Sequence, residues 1–104
     1  MIYQINTDHN LTVSPEYAEK IKEIINHQVE RFGEHITRLE VFLSDQNADK
    51  DTGADKHCNI EARLKGESPI VASADGDTYD KAISSAATKL KKLLDTKMSK
   101  ARGY

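Results

Sequence analysis

From Cys58 to Lys65 the chain alternates without a break, with Cys58, Ile60, Ala62 and Leu64 on one side and Asn59, Glu61, Arg63 and Lys65 on the other. Successive side chains point to opposite faces only in an extended strand, so this segment has one apolar face and one polar face. The apolar face must be covered, and that need constrains the rest of the chain. A second alternating run, Leu39, Val41 and Leu43 against Arg38, Glu40 and Phe42, supplies a neighbouring strand. Ile2 to Asn6, ending in the polar cluster Asp8-His9-Asn10, reads as a first strand. Gly66-Glu67-Ser68-Pro69 reads as a turn into a last strand, Ile70 to Ala74, that ends at Asp75-Gly76-Asp77.

Two helices supply the cover. Ser14-Pro15-Glu16 is a helix start: the Ser14 hydroxyl accepts an orphan N–H, Pro15 suits the first helical position, and Glu16 complements the dipole. Tyr17, Ile21, Ile24, Ile25, Val29 and Phe32 then form one apolar stripe, and Gly33 is the expected stop. Asp77 or Thr78 can cap a second helix whose apolar positions are Tyr79, Ile83, Ala86, Ala87, Leu90 and Leu94, with Leu93 widening the stripe. Asp45 to Lys56 is polar and aperiodic, and reads as a long loop between antiparallel strands. The order is β-α-β-β-β-α, an α+β fold in which a four-stranded sheet carries both helices on one face and leaves the other open. At 104 residues, one core and one domain over 1–104 are expected.

No run of 18 apolar residues occurs, and Met1 to Asn6 lacks the basic start and apolar stretch of a signal peptide, so a cytoplasmic protein is expected. A single cysteine, Cys58, fits a reducing compartment. The net charge of −2 argues against nucleic acid when taken alone. Its distribution argues otherwise. Residues 79–104 carry seven basic side chains against Asp80 and Asp95, while every earlier segment is acidic. Such polarity directs an anion to one face and one orientation.

Lys81, Lys89, Lys92, Lys97 and Lys100 fall off the apolar stripe of the second helix, with Lys91 and Arg102 nearby. Composition alone favours a solvated helix face with cations near its C-terminus; the alternative is phosphate contact. The open sheet face offers Phe42, Arg63 and Lys65, where an aromatic among cations can stack on a base or a sugar, or be covered by a loop. His9, His35, His57 and Cys58 match no zinc spacing, and Cys58 lies on an apolar strand face. Asp75, Asp77 and Asp80 are explained by turn and cap duties. No phosphate-cradling glycine loop, HExxH motif or Ser-His-Asp grouping occurs, so neither an enzyme nor a cofactor is expected.

Three segments resemble the ribosome hibernation factors, which include the ribosome-associated translation inhibitors and were once called sigma-factor modulation proteins. These are Leu11-Thr12-Val13-Ser14-Pro15 leading into the first helix, the exit Phe32-Gly33-Glu34-His35-Ile36-Thr37, and Ala82-Ile83, Ala86, Lys89-Leu90 and Lys92 of the second helix. The resemblance implies docking in the decoding channel of the small ribosomal subunit and silencing of idle ribosomes under stress or in stationary phase. It implies no small-molecule substrate, no membrane, and a monomer off the ribosome. Ending at Tyr104, the chain resembles the short type. It departs from the family's late first-helix lysines, carrying Asn26, His27, Gln28 and Glu30 before Arg31, and its 45–56 loop is acidic. Lys89 and Lys92 match the family run; Lys81, Lys97 and Lys100 come only by proximity. Two rivals remain: a protein-interaction module on the same fold, separable by salt dependence, and a small enzyme or metal-handling protein, which a clustered, perturbed pocket would support.

Overall fold

A computed structural model describes residues 1–8, 11–45 and 55–101, with side chains as far as residue 99. The chain runs β1 (Ile2–Thr7), α1 (Pro15–Val29), a 3-10 turn (Glu30–Phe32), β2 (Ile36–Asp45), β3 (Lys56–Leu64), β4 (Glu67–Gly76) and α2 (Tyr79–Ala101). The strands lie side by side in the order β1-β2-β3-β4. Because β1 pairs parallel with β2, the chain must cross the sheet between them, and α1 supplies that crossover. The other two pairings are antiparallel. This is the expected α+β architecture.

Register builds the core. Leu39, Val41 and Leu43 pair with Ala62, Ile60 and Cys58, and those three pair in turn with Ile70, Ala72 and Ala74. The pleat aims them all at the helices, and a slip of one residue would turn the whole set to solvent. Onto this face α1 lays Ile21, Ile25 and Val29, and α2 lays Ile83, Leu90 and Leu94, all fully buried. Ala82, Ala86 and Ala87, also buried, keep the underside of α2 small enough to lie close against the strands. Among the described residues no helix is long and apolar enough to cross a membrane.

Both helix starts are capped by hydroxyls. Ser14 Oγ accepts from the Tyr17 N–H at 3.1 Å, and Thr78 Oγ1 accepts from the Lys81 N–H at 3.1 Å. Thr78 therefore takes the cap, and Asp77 pairs with Lys81 Nζ at 3.1 Å. Just before this cap, a Cβ on Gly76 would lie 2.9 Å from Ala82 N, so β4 can hand over to α2 this tightly only without a side chain.

Several boundaries differ from the sequence reading. Gly33 ends the first helical run with φ −55°, donating its N–H to Glu30 O at 3.0 Å, rather than by a left-handed cap. The β3–β4 turn is only Lys65-Gly66: Gly66 takes φ +66°, and Glu67, Ser68 and Pro69 already belong to β4. Pro69 is tolerated there because β4 is an edge strand, where a missing N–H need not break the ladder. Leu93 does not widen the buried stripe; it is 44% exposed, beside Ile70, Thr96 and Lys97. Asp45 and Lys56 are strand residues paired with each other, with Lys56 Nζ 3.1 Å from Asp45. The rest of that loop, 46–54, lies outside the described residues.

The first helical run, α1 with its 3-10 turn, is joined to α2 by charge near both ends of their contact. Lys20 Nζ sits 2.7 Å from Asp80, the Tyr17 hydroxyl donates to the same carboxylate at 2.7 Å, and Arg31 pairs with Asp95. The Lys20 ammonium, then the Tyr17 hydroxyl, hold the Asp80 carboxyl below its ordinary 3.8. Burial first, and then Asp80 itself, push the Tyr17 hydroxyl up. A depressed carboxyl stabilises the fold above the ordinary carboxylate range and loses that contribution as pH falls through its folded value. Asp80 is 46% exposed, so screening limits the pair to about 0.5 kcal/mol. Asp80→Asn is expected to lower Tm by about 2–4 °C at neutral pH. In melts at descending pH the gap should close below 3.8; a gap that persists there would make the loss steric.

Candidate nucleic-acid interface

The second helix sorts its charges by side. Its two carboxylates in residues 79–104, Asp80 and Asp95, are engaged by Lys20 of α1 and by Arg31 of the 3-10 turn, so neither neutralises the outward surface. On that surface Ser84, Ser85, Thr88, Lys89 and Lys92 line one shallow hollow of about 350 Å³. Their spacing places them on one side of the cylinder, across from Ile83, Leu90 and Leu94. Lys89 Nζ donates to the Ser73 carbonyl oxygen at 3.1 Å, which fixes its ammonium without cancelling its charge. Lys92 has no ion-pair partner among the described residues. Thr88 Oγ1 donates to Ser84 O at 2.9 Å. The hollow therefore presents two ammonium groups and three hydroxyls, which suits phosphate oxygens and sugar hydroxyls.

The remaining basic candidates are dispersed. Lys81 is paired to Asp77 and Lys97 to Glu67 at 3.3 Å; sixteen residues apart, they stand about 24 Å from one another along the axis. The Lys100 side chain and Arg102 lie outside the described residues. Across the sheet, Arg63 is held by Glu61 at 2.9 Å and Glu40 at 3.5 Å. Lys65 is exposed on the two-residue turn. Phe42 stands on the open sheet face, 40% exposed. Among the candidate lysines of α2, the unpaired positive surface is thus the local pair Lys89 and Lys92 rather than a stripe along the helix.

A family model described as "Sigma 54 modulation protein / S30EA ribosomal protein" matches residues 4–102. The chain belongs to this family. Among solved structures, a ribosomal subunit interface protein from Coxiella burnetii superimposes with a TM-score of 0.76 at 19% identity, covering 95% of this chain and 99% of that one. The N-terminal domain of Thermus thermophilus Protein Y gives a TM-score of 0.69 at 18% identity, covering 88% and 92%. At such identities these two likenesses establish the shared fold. No curated protein sequence matches.

The family's matched region thus takes in both helices and the open sheet face. Ser84, Ser85 and Thr88 were not among the residues singled out from sequence; their hydroxyls share the helix face of Lys92 and were legible from spacing alone. Among the described residues the metal reading finds no support in the geometry. Cys58 is wholly buried, burial pushes its thiol up to about 12, and its neighbour His57 faces the other side, with Nδ1 2.6 Å from Asp75. A second hollow, about 320 Å³ and lined by Arg31, Phe32, His35, Asp95, Met98 and Ser99, has its guanidinium already paired with Asp95.

Proposed function

We propose that this chain is a ribosome hibernation factor that docks on the small subunit's RNA in the decoding channel and blocks translation in idle or stressed cells. Membership of a family designated ribosomal supplies the partner class. The observation that carries the mode of docking is the hollow on α2, where Lys89 and Lys92 stand among three hydroxyls and no carboxylate lines the surface. Such a surface grips phosphates by charge and ribose by hydrogen bonding, and reads shape rather than sequence. The proposed role is docking, without a bond made or broken, and a ribosomal partner puts its proposed site of action in the cytoplasm.

The test is co-sedimentation with small subunits across a salt series. Two lysine–phosphate contacts give a log–log slope of about −1.4 to −1.8. The rival, a protein partner on the same fold, is favoured by the net charge of −2 and gives a much flatter dependence. Binding that is insensitive to salt would remove the phosphate-docking reading.

A further inference from the structure

The sheet face turned away from the helices carries Phe42 near its middle. In register, Phe42 pairs with Asn6 of β1 and with Asn59 of β3, so one half-exposed ring stands between two amides across three strands. Both amide oxygens are occupied. Asn6 Oδ1 accepts from Gln4 Nε2 at 3.3 Å, and Asn59 Oδ1 accepts from the Ser73 hydroxyl. Among the described residues neither Nδ2 group has an acceptor. The ring is therefore flanked by two hydrogen-bond donors without an acceptor among the described residues.

The adjoining row of side chains is electrically closed. Glu40 lies 3.2 Å from Arg38 and 3.5 Å from Arg63, and Arg63 also reaches Glu61 at 2.9 Å. Two positive and two negative groups cancel, so this row recruits no phosphate. What complements the Phe42 row is a flat, neutral group with acceptors on its rim. A second copy of the chain fits poorly. Ile2 and Val71, the other exposed apolar residues of this face, lie on opposite edge strands, β1 and β4, apart from Phe42.

We propose that this face binds one unpaired pyrimidine base of RNA with a carbonyl on each edge, uracil above all. The base stacks on Phe42 and receives hydrogen bonds at its two carbonyl oxygens from Asn6 Nδ2 and Asn59 Nδ2. Two strand separations set the Cα atoms of Asn6 and Asn59 about 10 Å apart, one on each side of Phe42, so the two amides flank a base seated over the ring. Adenine has no carbonyl oxygen, and cytosine offers one on a single edge. The proposal rests on the RNA-docking reading for the source of the base, but uses residues on the opposite side of the domain from α2.

An NMR titration of the full chain with short oligouridylate and oligoadenylate separates the two surfaces. Oligouridylate is expected to shift the Asn6 and Asn59 side-chain amides and the Phe42 ring, and to do so equally in the Lys89→Glu/Lys92→Glu double variant. Phe42→Ala should weaken oligouridylate binding about tenfold or more, with Phe42→Tyr retaining it. Asn6→Ala/Asn59→Ala should erase the preference over oligoadenylate while keeping weak stacking. The proposal is overturned if both oligonucleotides act alike on the wild type, if shifts are confined to α2, or if the face shifts with protein concentration alone. Loss of ribosome docking in the lysine variant with an intact sheet-face response would leave both readings standing. An intact sheet-face response without lysine-dependent docking would sink only the α2 reading.

Discussion

Reversing the charge of Lys89 and Lys92 together is expected to abolish co-sedimentation with small ribosomal subunits at physiological salt. Both ammonium groups stand in the hydroxyl-lined hollow of α2. Each reversal replaces attraction to a phosphate with repulsion, at about 1.4 kcal/mol or more, so the pair should weaken binding at least ~100-fold. Folding should be unaffected. Lys89 gives up one exposed hydrogen bond to Ser73 O, which water replaces, and Lys92 gives up no ion pair with a described residue. Melting within a few degrees of wild type, together with lost sedimentation, is the expected combination. A double variant that still co-sediments would show that these lysines are not contacts.

Leu90→Ala is expected to do the reverse, striking the fold from a position between the same two lysines. Leu90 is wholly buried on the underside of α2, against the apolar face of the sheet. Removing its branched end leaves a cavity that the alanine-lined interface cannot readily collapse into, at a cost of about 3 kcal/mol. For a domain of this length that lowers Tm by about 15 °C. Chemical denaturation with an unchanged m-value would show that stability alone has moved. A loss under 1 kcal/mol would mean that α2 is not anchored through this seam.

The periods of the chain carried most of the fold. Alternation at Leu39, Val41, Leu43 and at Cys58, Ile60, Ala62, Leu64 gave two strands and their buried face, and the 3–4 spacing gave both helices with their caps. What they could not carry was the position of the sheet's edge. Pro69 looks like a turn residue because a proline rarely sits within a ladder, yet β4 is an edge strand and accepts it. Leu93 fits a helical stripe by angle, but lies out over the β4 side beside Ile70 and stays exposed. The candidate site was legible in part for the same reason. Lys89 and Lys92 followed from the family run, whereas the carboxylate that neutralises Lys97 is Glu67, thirty positions earlier, and those that hold Arg63 lie on two strands. Charge cancellation of that sort is a property of register, invisible to a count along the chain.

The clamping of Asp80 onto α1 and of Asp95 onto the 3-10 turn that follows it separates two tasks that usually share one surface. The apolar contacts that bury α2 lie on its inner half, so the residues at 84, 85, 88, 89 and 92 can be exchanged at the cost of one exposed hydrogen bond from Lys89 to Ser73 O. Drift or deliberate grafting at those five positions could re-address the domain to a different polyanion while leaving its foundation untouched.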